Sequence, residues 1–217
     1  MSDAPSNERA GWLTESDASQ LSECLAGGGV CLFPSDTVYG LGCDPNSQEA
    51  ASRLYELKGR PPQRPAAVMF FTLQRALAAL GEMTDGERAA MRALLPGPVT
   101  MLLPNRGRRY PLACGPDPDT LGLRVPLLQG PLAALGNVRV PILQSSANIS
   151  GQPDARRLAE VSPQLLASVD LVLDAGELAG KASTVLDLRD YARSGAWRVL
   201  RDGPLSQDQL ERALGNP

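Results

Sequence analysis

The segment YELKGRPPQRP, residues 55–65, sets Lys58, Arg60 and Arg64 within seven positions of one another. The chain as a whole is acidic, with 21 basic against 24 acidic residues, and only two of its cations are lysines. A proline-bounded turn that gathers three cations in such a chain offers a local anion site. Arginine brings a planar fork suited to bidentate contacts, and lysine a compact point charge that can follow a phosphoryl group. A solvated turn in an arginine-rich chain is the plainer alternative.

Other polar groups gather at the ends of apolar runs. SSANISG, residues 145–151, offers Ser146 and Asn148 after a predicted strand, where loop N–H groups and short polar side chains bind oxyanions in α/β proteins. A simple capping turn would use the same residue types. PSDTVYGLGCDP, residues 34–45, leaves a second apolar run with Thr37 and two glycines. Its Gly-x-Gly is too short for a dinucleotide fingerprint, and no G-x-x-x-x-G-K-[ST] occurs, so a nucleotide would not be held by a standard P-loop. Arg124 in GLRVP, Ser183 and Thr184 in ASTVLDL, and Arg201 in VLRDG stand on or at the ends of further predicted strands. Taken singly, each is more often structural than functional.

Composition removes several classes of chemistry. With no histidine in 217 residues, Ser-His-Asp and Cys-His nucleophile activation are excluded, and so are the usual zinc sets. The four cysteines, Cys24, Cys31, Cys43 and Cys114, form no C-x-x-C pair and are expected as reduced thiols in a cytoplasmic protein. A pI near 5.1 argues against a surface that grips nucleic acid throughout. No apolar run approaches the roughly 20 residues that cross a bilayer, so no membrane association is expected. Residues 1–12 are expected to be a flexible tail, and 13–217 one catalytic domain.

The elements that must position these groups alternate. Helices are predicted at about 15–25 from Thr14 or Ser16, at 48–57 from Ser47, after Thr72 to Gly81, after the Thr84/Glu87 capping box, near 131–136, from Asp154, and from Ser206. Strands are predicted at about 30–34, 66–71, 99–103, 121–125, 141–145, 170–173, 183–188 and 197–201. Three late strands in near succession imply some antiparallel pairing, giving an α/β fold with a twisted mixed parallel and antiparallel sheet and flanking helices.

In this order, FPSDTVYGLGCD, LKGRP, LLPGPVTMLL, GLRVP, SSANISG, STVLDL and VLRDG resemble the YrdC-like family, and within it the short single-domain threonylcarbamoyl-AMP synthases. The resemblance covers roughly residues 20–205. It implies that L-threonine, bicarbonate and ATP give L-threonylcarbamoyl-AMP and pyrophosphate, a product passed to the transferase complex that makes threonylcarbamoyladenosine in tRNA. By position it assigns Thr37, Arg124 and Ser183 to L-threonine. It assigns Lys58, Arg60, Arg64, Thr120, Ser146, Asn148 and Arg201 to ATP, with Lys58 and Arg60 acting electrostatically in catalysis. Mg²⁺ is implied as the companion of ATP, without dedicated protein ligands. Arg64 and Met69 depart from the family pattern, the first adding a cation and the second standing near a position often filled by histidine. No protein nucleophile is needed, because a carbamate oxygen can attack the α-phosphorus directly. Two other readings share the fold: a non-catalytic RNA-binding module with weak tRNA contact, and a carbamoyltransferase relative that forms carbamoyl-adenylate. Only 4% of residues are aromatic, which leaves few platforms for base stacking and speaks against the first.

Overall fold

The computed structural model describes residues 11–59, 61 and 64–216; Arg60 and residues 1–10 of the expected tail lie outside them. The Thr14 hydroxyl accepts the Asp17 N–H while the Asp17 carboxylate accepts the Thr14 N–H, so α1 (Glu15–Ala26) opens on a capping box. Strands β1 (Cys31–Pro34) and β2 (Tyr39–Cys43) follow, then α2 (Gln48–Leu57), capped by Ser47 and ending at Lys58. Next come β3 (Ala67–Met69), α3 (Leu73–Ala79), α4 (Asp85–Leu94), β4 (Val99–Pro104), α5 (Pro111–Cys114) and β5 (Thr120–Arg124). A 3-10 helix (Gly130–Asn137) leads to β6 (Ile142–Ser146), α6 (Pro163–Ser168) and β7 (Leu171–Val172). The described chain closes with β8 (Thr184–Asp187), α7 (Tyr191–Ser194), β9 (Arg198–Arg201) and α8 (Gln207–Leu214).

The strands form one nine-stranded sheet in the order β7-β1-β2-β6-β3-β5-β4-β8-β9. Three pairs are parallel, β1 with β7, β3 with β5 and β4 with β8; the other five are antiparallel. The mixed sheet agrees with the sequence expectation, but its late strands divide. β8 and β9 pair antiparallel as expected, whereas β7 crosses to the opposite edge and runs parallel to β1.

The alternation of strand side chains decides where a site can form. One face sends Val68, Met101, Leu121, Leu123, Leu143 and Leu186 into a core shared with Leu54, Met91 and Leu210 of α2, α4 and α8. Burying each such side chain contributes about 1.5–3 kcal/mol. The other face is split. Toward β1 and β2 it is covered by Leu21 and Leu25 of α1 and by Leu132 and Leu135 of the 3-10 helix, packed on Phe33, Met69 and Ile142. Toward β5, β4 and β8 the same face opens as a cavity over Gly122, Thr100, Leu102 and Val185.

Three expectations are corrected by the structure. Residues 39–43, read as part of a loop, form the interior strand β2, its alternation hidden by Gly40 and Gly42. The Phe33 ring lies over both glycines, where an added Cβ would stand 3.2 Å and 3.0 Å from it. No helix starts at Asp154; the chain forms a 3-10 turn at Leu158–Glu160 and reaches an α-helix at Pro163, where proline suits the first turn. The helix expected near 131–136 is a 3-10 helix, and the one-turn helices α5 and α7 were not foreseen.

Candidate active site

Arg124 is the centre of the cavity wall. It ends β5 beside Thr100 of β4, and it is 3% exposed. Its Nη2 donates to Asp36 Oδ1 and to Thr37 Oγ1, both at 2.5 Å, and to Ser35 Oγ at 3.4 Å. Asp36 is held in turn by the Leu127 N–H at 2.9 Å. Burial lowers the Arg124 pKa against the raising influence of Asp36, and the positive charge of Arg201 adds to the lowering. The Arg124 Nε is buried and has no hydrogen-bond partner among the described residues. A buried donor left open costs free energy, and an entering carboxylate is the group that would satisfy it.

Ser183 lies across the cavity, immediately before β8. Its hydroxyl shares a hydrogen bond of 2.8 Å with Thr100, and its carbonyl and hydroxyl take three contacts of 2.9–3.2 Å from the Arg201 guanidinium. Gly203 makes this closeness possible, since a Cβ there would stand 2.1 Å from the Thr184 nitrogen. Arg201, on the edge strand β9, is exposed and lines the same hollow as Arg124, Thr120, Ser146 and Ser183. The cavity measures about 420 Å³, within the range of small-molecule sites.

Lys58 is engaged with the loop after β6. Only 2% exposed, its Nζ donates to the carbonyl oxygens of Ser146 and Asn148, the second at 2.7 Å, and to Asn148 Oδ1 at 3.0 Å. The Ser146 hydroxyl donates to the same Oδ1 at 2.6 Å, and the Asn148 amide reaches the Gln152 carbonyl. The loop after β6 is therefore folded around the lysine ammonium. Asn148 faces a neighbouring hollow that shares Asp154 with the main cavity. Arg64 is exposed and does not line the cavity, although Pro65 does. Met69 is buried under α1. Arg60 lies outside the described residues.

The structure thus gathers Thr120, Arg124, Ser146, Ser183 and Arg201 around one hollow, with Thr37 fully buried behind Arg124 and not lining it, and Lys58 and Asn148 behind its loop wall. Sequence reasoning missed Asp36, Thr100, Asp117 and Arg189. Asp36 sits inside the PSDT stretch, but its role depends on a partner 88 residues away.

The family model described as Telomere recombination, for Sua5, YciO and YrdC proteins, matches residues 23–203. The chain belongs to the Sua5/YciO/YrdC family. The protein named threonylcarbamoyl-AMP synthase from Xanthomonas campestris pv. campestris (strain B100) is 38% identical over 183 residues, 82% of this chain and 93% of that one. The crystal structure of P. abyssi Sua5 complexed with L-threonine superposes with a TM-score of 0.81 at 27% identity, covering 94% of this chain. This chain spans 58% of that longer one. E. coli YciO matches with a TM-score of 0.74 at 24% identity, covering 91% of this chain and 94% of that one, a likeness of fold. Among the described residues, no helix is long and apolar enough to cross a membrane.

Proposed function

We propose that this member of the Sua5/YciO/YrdC family is a threonylcarbamoyl-AMP synthase, joining L-threonine, bicarbonate and ATP into L-threonylcarbamoyl-AMP with release of pyrophosphate. The observation that carries this reading is the Arg124 Nε, a buried donor without a partner among the described residues, in a wall that also presents the Thr100 and Ser183 hydroxyls, with Thr37 bonded behind it. The threonine carboxylate fits the guanidinium, and its small polar side chain fits the hydroxyl pair. The named relatives and the L-threonine complex of P. abyssi Sua5 support the same assignment.

The amine and bicarbonate condense to a carbamate with loss of water. A carbamate oxygen then forms a bond to the α-phosphorus as the bond to pyrophosphate breaks. The protein's tasks are to hold two anions together and to stabilise the charge that develops. Arg201 and Arg60 are the cations proposed for the phosphates, with Ser146 and Thr120 along the nucleotide. Lys58 acts by holding the loop of Ser146 and Asn148, which keeps these groups in place before the substrate arrives. Mg²⁺ would enter with ATP as part of the substrate. Phosphate oxygens and water would complete its shell. The product is a labile mixed anhydride, and a tRNA-modifying transferase is the proposed consumer.

The test is incubation with ATP, Mg²⁺, labelled bicarbonate and each amino acid in turn, with pyrophosphate release as the readout. Release stimulated by threonine above serine, with label in an adenylate, is expected. Threonine-independent release that runs instead on carbamoyl phosphate would replace this reading with the carbamoyl-adenylate one. Salt-dependent tRNA binding without any ATP use would replace it with the RNA-binding module.

A further inference from the structure

One end of the cavity is used by the assignments above only through Thr120. Strand register sets its length: Arg124 stands beside Thr100, Gly122 beside Leu102, and Thr120 beside Pro104. β8 runs parallel to β4 with Asp187 beside Leu102, and the Leu188 N–H continues the ladder to the Leu102 carbonyl at 2.9 Å. Arg189 therefore comes level with Thr120, on the cavity face. Four strand residues separate that level from Arg124, about 13 Å. Arg201 pairs with Val185, at the Arg124 end. The far end is walled by Arg189, Asp117 and Thr120, beyond an apolar floor of Leu102 and Gly122.

Arg189 is fixed in plane and carries more charge than its neighbours require. Its Nε and Nη2 donate to the two oxygens of Asp187 at 2.9 and 2.7 Å. Asp187, 7% exposed, also accepts the Arg198 Nε at 3.0 Å. One nearly buried carboxylate thus faces two guanidiniums, and Arg198 alone would neutralise it. The other anions near Arg189 are Asp190, which is paired with Arg193 at 2.7 Å, and Asp117, whose Oδ2 is 3.8 Å from Nη1, with side chains 38% and 51% exposed. An exposed pair of that length contributes little. A planar cation beside an apolar floor suits a flat aromatic ring, while the adjacent Asp117 carboxylate disfavours a phosphate.

We propose that Arg189 is the nucleobase contact of this cavity, its guanidinium plane lying against the adenine ring while the triphosphate extends toward Arg201. The inference rests on the synthase reading for the identity of the nucleotide. The test is calorimetric binding of AMP, pyrophosphate and L-threonine to the full chain, wild type and Arg189→Ala. AMP should weaken about five- to tenfold, with pyrophosphate and threonine changing by less than about twofold. The KM for ATP should rise by the same factor as the AMP dissociation constant, with kcat retained. Arg189→Lys keeps a charge for Asp187 without the plane and should not restore AMP binding; it decides the matter alone if the alanine variant does not fold. Full recovery by lysine, joint loss of AMP and pyrophosphate, or unchanged AMP affinity would each overturn the proposal, as would wild-type protein that binds no AMP. Wild-type protein that binds AMP and pyrophosphate but releases no pyrophosphate with threonine would overturn the synthase reading while leaving this contact to be decided by the variants.

Discussion

Arg124 and Arg201 face one cavity and are held in opposite ways. Arg124 is buried, paired with Asp36 and bonded to Thr37. Arg201 is exposed on an edge strand and rests on the neutral oxygens of Ser183. On the first side the desolvation of the cation is already met by the fold; on the second the charge stays in reach of water until an anion arrives. The contrast implies a rigid side that selects a small zwitterion by geometry and an adaptable side that accepts a polyphosphate. Loss of the supporting groups should therefore harm folding on the first side and turnover on the second.

The largest effect should come from Asp36→Ala. Both members of that ion pair are nearly buried, with side chains 4% and 8% exposed. Removing one leaves an uncompensated buried charge, at a cost of about 3–5 kcal/mol, readable by urea denaturation. Unchanged stability would mean that the Arg124 side is not the rigid one. Arg201→Ala should then lower turnover about a hundredfold, as loss of one preorganised charge-stabilising donor does, while the melting midpoint stays in place. A matching loss of stability without a turnover defect would erase the contrast.

Lys58→Met tests the loop after β6. It leaves the carbonyls of Ser146 and Asn148 without their ammonium, which should cost about 1–3 kcal/mol and speed amide exchange in residues 146–150. Unaltered exchange there would show that the loop does not depend on the lysine. A smaller effect concerns the far wall. Hydrogen bonds from Arg189, and then from Arg198, outweigh burial and hold the Asp187 carboxyl at about 2 instead of 3.8. Because the folded pKa is the lower one, this stabilisation is present above the unfolded value and is lost as pH falls from about 4 toward 2. Asp187→Asn should flatten that part of the stability curve measured by thermal melting. A curve of unchanged slope would remove Asp187 from the acid response.

Local chemistry made much of the frame legible in advance. Thr14, Ser47, Thr72, Thr84 and Ser206 cap the helices they open, since an N-cap acts through the next three residues. The polar groups at strand ends converge because the register of β4, β5 and β8 aligns them. What stayed hidden depends on distant partners. β2 could not be read from YGLGC, because its glycines answer to the ring of Phe33 on the neighbouring strand. Asp36 carries no local signal of its place, which depends on Arg124, 88 residues away. The lysine that suggested a phosphate contact also binds the loop carbonyls of Ser146 and Asn148, which charge counting does not show.

The most direct measurement is a crossed titration. L-threonine and a non-hydrolysable ATP analogue are each bound calorimetrically to wild type, Arg124→Lys and Arg201→Ala. The two-sided cavity predicts that Arg124→Lys, which keeps the charge and loses the fork, abolishes threonine binding and spares the nucleotide, while Arg201→Ala does the reverse. Loss of both ligands in both variants, or the opposite crossing, would contradict it.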